Sequence, residues 1–256
     1  MDKLGIIGGL GPAATARLFS RIVEYTAAAR DQDHLEVAIL NRPSIPDRTA
    51  YLLNTPGAES FVDPMRIAAL ELEALGCSIL ATPCNTAHAR LSEIASALES
   101  AHFVDMPAAA ASFARTLGCT RVGILATDGA LISEVHQRAL KHEHIESALP
   151  GTDVQRIVMS IIYDDVKAGR AVSPGRVESV CTALTDAGCD GIMLGCTELS
   201  LLGLDRCIEN VPVIDALDVL AWACVQACGA PAFDLEQEYR SSCEGLPPAA
   251  AAGSTK

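Results

Sequence analysis

CSILATPCNTAH at residues 77–88 and CDGIMLGCTELS at 189–200 share one design: a short apolar run leads into a cysteine, and polar residues able to start a helix follow. LGIIGGLGPAAT at 4–15 and VGILATDGALIS at 122–133 echo each other at nearly the same spacing. Two echoes in the same order imply a chain built from two similar units. Apolar runs of strand length recur at KLGIIG (3–8), EVAIL (36–40), CSILAT (77–82), RVGILA (121–126), GIMLG (191–195) and VPVID (211–215). Amphipathic stretches rich in Ala and Leu lie at 57–76, 85–99, 106–117, 128–141, 153–169 and 174–187. Short apolar strands alternating with helices predict an α/β fold with parallel sheets buried on both faces. The duplication predicts two pseudo-symmetric α/β lobes whose strand ends face a central cleft. The expected division is a first lobe at 1–115 carrying Cys84, a second at 116–212 carrying Cys196, and 213–243 packed back on the first. The tail EGLPPAAAAGSTK, 244–256, has no apolar periodicity and reads as disordered.

The bulk properties narrow the function. A chain of 256 residues, 50% hydrophobic, can bury a large core or two smaller ones. No apolar run approaches the roughly 18 residues of a membrane-spanning helix, so no membrane partner is expected. Lys and Arg number 19 against 32 Asp and Glu, and the resulting charge of -13 repels phosphate backbones. Nucleic acid is therefore not an expected partner. The start MDKLGIIGGLGP lacks the basic and long apolar regions of a secretory signal, which makes the cytoplasm the expected location. In such a chain most of the ten cysteines should be reduced thiols, with Cys77, Cys119, Cys181, Cys189, Cys224 and Cys228 filling the core. No CxxC and no close Cys/His cluster suggests a metal site.

Cys84 and Cys196 each stand where a strand should end and a helix begin. The partial positive charge and free N–H groups of a helix start favour thiolate, so a lowered thiol pKa is expected at both. Two opposed acid/base groups suit racemisation, which removes a proton from one face of a carbon and returns one to the other. Asn85, Thr86 and Thr197, with the helix-start amides, suit a substrate carboxylate and the enediolate-like charge that forms as the proton leaves. Two other patterns stay open. Cys84 and His88 have the spacing of a thiol–imidazole pair on one helix. GGLGPAA also fits the G-x-G-x-x-A outline of a dinucleotide turn, although EVAIL ends at Asn41-Arg42 without the acidic residue such sites use.

The chain resembles the aspartate/glutamate racemase superfamily, and its aspartate racemase branch in particular. The resemblance rests on GGLGPAAT (8–15), RDQDH (30–34), IPDRT (45–49), TPCNTAH (82–88), LATDGA (125–130) and LGCTELSLL (194–202), six motifs in one order from residue 4 to about 228. It implies a homodimer of two-lobed subunits that uses no cofactor and takes a small acidic amino acid, with Cys84 and Cys196 as the acid/base pair. It further implies that Arg48, Lys167, Thr127 and the backbone near Leu10 bind substrate, and that Cys196 serves the L face and Cys84 the D face. Interconversion of L- and D-aspartate is the activity expected. Glutamate or broad-specificity racemisation is the alternative within the superfamily, and a non-catalytic amino-acid-binding protein the alternative outside it. Leu10 stands where methionine is common in GGMGP, and Asp128 where a second threonine is common; both departures bear on pocket shape.

Overall fold

The computed structural model describes residues 1–244 and 246–247. Most of the tail expected to be disordered lies outside the described residues. The first half runs β1 (Leu4–Gly8), α1 (Pro12–Tyr25), β2 (Val37–Asn41), α2 (Arg48–Leu52), α3 (Val62–Ala74), β3 (Ile79–Ala81), α4 (Leu91–Ala95), β4 (His102–Phe103) and α5 (Met106–Thr116). The second runs β5 (Arg121–Leu125), α6 (Asp128–Ile132), α7 (Val135–His142), β6 (Glu146–Ala148), α8 (Thr152–Ser160), α9 (Pro174–Asp186), β7 (Gly191–Leu194), α10 (Thr197–Ser200), β8 (Cys207–Ile208), β9 (Val211–Asp215) and α11 (Ala216–Ala227). The helix α12 (Leu235–Ser242) follows.

The sheets have the orders β2-β1-β3-β4 and β6-β5-β7-β9-β8, with every pairing parallel except β8 with β9. Strands β1, β2, β3 and β4 thus correspond to β5, β6, β7 and β9, and each half repeats one winding. In both, the chain leaves the first strand to one side and returns on the other. That reversal opens a crevice beyond the carboxyl ends of the central strands, where α/β folds bind ligands.

Side chains alternate across each strand, and both faces are covered. Leu4, Ile6, Ile79, Val122, Ile124, Met193 and Ile214 point into one apolar cluster that also takes in α1, α5 and α11. On the opposite faces Ile7 and Leu80 pack with α3, and Leu125, Ile192 and Val213 pack with α8 and α9. Each large aliphatic side chain buried in this way contributes about 1.5–3 kcal/mol. Local chemistry sets the helix starts: Pro12 occupies a first-turn position of α1, and Asp105, Thr127, Asp215 and Asp234 accept backbone N–H bonds at the starts of α5, α6, α11 and α12.

The observed elements are shorter and more numerous than the sequence patterns. The stretch 57–76 yields only Val62–Ala74. The stretch 85–99 is a 3₁₀ turn, Asn85–Arg90, followed by α4. The stretch 153–169 changes at Ile161 from α-helix to a π-helical turn, Ile161–Val166. Segment 213–243 divides: Val213–Asp215 pair with β7 in the second sheet, whereas α11 lies against α1 and α5. Cys207 and Cys243 form a disulfide that ties β8 to the end of α12, and the other eight cysteines are free and buried. Among the described residues no helix is long and apolar enough to cross a membrane.

Candidate active site

Four strand ends build the site. Gly9 follows β1 at φ 92°, and a Cβ there would lie 2.4 Å from the Arg42 backbone, so the loop after β1 can approach the loop after β2 only as glycine. This close approach is a packing reason for the second glycine of GGLGP. Cys84 (φ −152°, ψ 98°) follows β3 and immediately precedes the 3₁₀ turn. Cys196 (φ −139°, ψ 128°) stands at the same place after β7 and precedes α10. Thr127 follows β5 and caps α6, accepting from Ala130 N–H at 3.2 Å.

All nine residues singled out from sequence line one small cavity: Leu10, Arg48, Cys84, Asn85, Thr86, Thr127, Lys167, Cys196 and Thr197. Asp47, Thr49, Tyr163, Gly195 and Glu198 complete its wall. A wider groove outside it is bounded by Gly9–Ala14, Pro43, Ile45 and Val166 and shares Leu10, Asp47, Arg48, Lys167 and Glu198 with the cavity. It is the doorway. The halves are joined across the cleft, because Thr197 Oγ1 donates to the Pro83 carbonyl at 3.3 Å and the Thr86 and Thr127 hydroxyls bond at 3.0 Å.

The polar side chains differ in how far they are committed. Arg48 Nη1 donates to the Ile45 and Pro46 carbonyls at 3.3 and 2.9 Å, and Nη2 to the Leu10 carbonyl at 2.9 Å. Its buried Nε has no partner among the described residues, which leaves Nε–H and the second Nη2 hydrogen as a side-on fork for a carboxylate. Burial opposes the Arg48 charge, but Cys84, followed by Asp47 and Tyr163, holds the guanidinium pKa above its ordinary value. Asn85 is 2% exposed, and neither atom of its amide has a partner among the described residues. A buried amide without hydrogen bonds is costly, and facing a cavity it is matched to a polar ligand.

Cys196 departs from expectation. Its thiol donates to Glu198 Oε2 at 2.9 Å, and the other carboxylate oxygen is ion-paired with Lys167. Burial, then the Glu198 carboxylate, pushes the Cys196 thiol well above its ordinary pKa, outweighing Lys167 and the short helix behind it. The lowered value expected from a helix start does not hold at this sulfur. Lys167 is likewise no free cation. Burial opposes its charge, whereas Glu198, Cys196 and Cys84 hold its pKa up. His88 commits both ring nitrogens to backbone, Nδ1 to the Cys84 carbonyl at 3.0 Å and Nε2 to Met106 N–H at 3.1 Å. It positions the Cys84 loop instead of pairing with the thiol. Asp128 lies outside the cavity and accepts from Gln155 Nε2 at 2.8 Å. Among the described residues no group of three His, Cys, Asp or Glu side chains is arranged to hold a metal.

Residues 7–224 match the family described as Asp/Glu/hydantoin racemase. The chain belongs to that family. This racemase is 25% identical over 233 residues to the broad specificity amino-acid racemase RacX of Bacillus subtilis (strain 168), across 85% of this chain and 94% of the relative. Its fold matches Picrophilus torridus aspartate racemase with a TM-score of 0.78 and 29% identity, covering 94% of this chain and 98% of that one. An aspartate racemase homologue from Pyrococcus horikoshii OT3 matches at a TM-score of 0.72 and 21% identity, covering 90% and 100%. The protein is an isomerase of the amino-acid racemase class.

Sequence reasoning missed four polar residues of the racemase pocket, Asp47, Thr49, Tyr163 and Glu198. Glu198 stood in view two residues after Cys196, but an acidic residue in a first helical turn reads as a partner for the helix dipole. Tyr163 had no signal, since the π-helical turn alters which residues of that segment face inward. Its hydroxyl is pushed up to about 12, chiefly by burial, and faces Asp47.

Proposed function

We propose that this racemase interconverts L- and D-aspartate by proton exchange at the α-carbon between Cys84 and Cys196, without pyridoxal phosphate, metal or nucleotide. The observation that carries the reading is that two thiols, at equivalent strand ends of two repeated halves, line one cavity. One sulfur, as thiolate, takes the α-proton from one face, and the other, as thiol, returns a proton to the opposite face. Cys196 serves the L face and Cys84 the D face. The unpartnered Asn85 amide, Thr86, Thr127, Thr197 and the amides of the two helical starts hold the α-carboxylate and ammonium and stabilise the enediolate-like charge. The free fork of Arg48 and the ammonium of Lys167 receive the substrate's carboxylates, with the Leu10 carbonyl fixing the guanidinium. A cytoplasmic homodimer is the assembly proposed on the same resemblance.

One observation favours a second reading. Arg48 and Lys167 are faced by Asp47 and Glu198, so the pocket's formal charges cancel and admit neutral side chains as well. A broad-specificity amino-acid racemase fits that balance. Both readings are tested by incubating separate L-amino acids with the enzyme in D₂O, following α-deuteration and loss of optical rotation together. Aspartate should be fastest, with chelators and hydroxylamine harmless. Faster turnover of neutral amino acids selects the second reading. Inhibition by hydroxylamine with a pyridoxal-type absorbance band, or binding without exchange of the α-proton, overturns both.

A further inference from the structure

The pseudo-symmetry of the halves fails beside the two sulfurs. Two residues after Cys84 stands Thr86, whose hydroxyl bonds Thr127; two residues after Cys196 stands Glu198, whose carboxylate accepts the thiol proton. The charged groups facing the sulfurs are therefore unlike. Cys196 is faced by Glu198, by Lys167 already paired to that carboxylate, and by the neutral Tyr163. Cys84 is faced by the Arg48 guanidinium and, farther into the same network, by Lys167. Glu198 is 5% exposed, and Gly11 leaves it space: a Cβ there would lie 3.1 Å from Glu198 Oε1.

We infer that Glu198 is a positioning residue that decides where the single exchangeable proton of the two-thiol pair rests in the free enzyme, keeping it on Cys196 and leaving Cys84 as the waiting base. The inference rests on the two-thiol reading above. In the D-to-L direction the Cys84 thiolate takes the α-proton and the Cys196 thiol gives up its own. Cys84 is then a thiol and Cys196 a thiolate, and one proton passing from Cys84 to Cys196 through solvent resets the enzyme. L-aspartate has to capture the minor form, in which Cys196 is already the thiolate. A ligand that binds a minor form has its apparent affinity reduced by the population of that form. The enantiomers have equal free energy, so kcat/KM is the same in both directions, and the bias appears only as a higher KM and a proportionally higher kcat for the enantiomer facing Cys196.

The experiment measures KM and kcat for L- and D-aspartate separately in wild type and in Glu198→Gln. The wild-type KM ratio, L over D, should be about tenfold or more and should fall to within about twofold of unity in the variant, with kcat moving in step. A role confined to packing would alter both enantiomers alike. Iodoacetamide labelling followed by peptide mass analysis gives a reading that needs no turnover. Cys84 should be alkylated before Cys196 in the wild type, and Glu198→Gln should bring the two rates together. Equal KM values in the wild type, a ratio unchanged by Glu198→Gln, or alkylation of Cys196 first would overturn the inference. Absence of racemisation with labelling as expected would instead remove the catalytic reading and leave the proton placement standing.

Discussion

Cys84 and Cys196 open equivalent helical turns in equivalent halves, yet an arginine stands beside one and a carboxylate beside the other. The loops are also held by different means. His88 belongs to the turn it steadies, bonding the Cys84 carbonyl from within. His136 reaches in from α7 to bond the carbonyl of Gly195, the residue before Cys196, at 3.3 Å. A Cβ at Gly195 would lie 2.6 Å from that imidazole, so the approach needs glycine there. The comparison teaches that the backbone frame of a duplicated fold is conserved by sheet geometry, whereas the charges at its loop tips are free to diverge. A reaction that treats mirror-image substrates can thus run on unequal halves.

The largest expected effect tests the part the halves share. Cys84→Ser and Cys196→Ser should each cut aspartate racemisation by about a hundred- to ten-thousand-fold, since a hydroxyl is too weak an acid to replace the thiol. The losses should differ in kind: Cys196→Ser should still wash deuterium into D-aspartate, and Cys84→Ser into L-aspartate, each without inversion. The double variant should be scarcely worse at racemisation than either single one. Normal racemisation in either single variant would break the equivalence of the sulfurs.

The second test concerns the unequal imidazoles. Burial, only partly offset by the bond to Gly195, pushes the His136 pKa down to about 4 from an ordinary 6.5. The unfolded chain then binds more protons between those values, so this contribution to stability is complete above pH 6.5 and is lost as pH falls toward 4. Its full size is about 3 kcal/mol. Asp215, raised to about 6 chiefly by burial, acts with the opposite sign: its contribution is present in acid and lost as pH rises through that value. The two partly cancel in the wild type. His136→Gln should therefore gain stability at about pH 5 relative to about pH 7 when compared with wild type, as read from urea midpoints. Parallel pH profiles would remove His136 from the account.

The third effect sharpens the charge comparison. Arg48→Ala or Lys167→Ala should lower kcat/KM on aspartate by about ten- to a hundred-fold, the value of one charge-assisted bond expressed in the transition state. Arg48→Lys should recover little, because the fork and the bonds to Ile45, Pro46 and Leu10 are lost together. Unchanged kcat/KM on aspartate in both alanine variants would favour the broader substrate reading. The smallest effect lies in the joint between the halves, where Thr86→Val removes the hydroxyl bond to Thr127 and should cost about 1 kcal/mol in urea unfolding.

Much of this arrangement was legible in sequence because strand, cysteine and helix start are local signals that repeat. Cys84 and Cys196 could be placed on strand ends from their flanking residues alone, and the two echoes foretold two parallel sheets. Arg48 and Lys167 have no such local mark, and only the resemblance drew attention to them. Helix α11 escaped notice because it is buried nearly all round and has no polar face to reveal a period. Strands β4, β6 and β8 are two or three residues long, too short for alternation to register. The charge on Glu198 was visible, but its meaning depends on Lys167 and Gly11, which the fold brings from distant segments.

The apolar layer shared by the two sheets has a mechanical consequence. Helices α1, α5 and α11 belong to one buried cluster that reaches both sheets, so the halves are welded through their middle. The Pro43–Arg48 loop and the π-helical turn ending before Lys167 lie outside that layer and border the wider groove. Amide hydrogen exchange should be fast along these two segments and slow through the welded layer, and aspartate should slow the rim alone. An exchange profile that is instead fast through the shared layer would show the two halves moving as separate bodies.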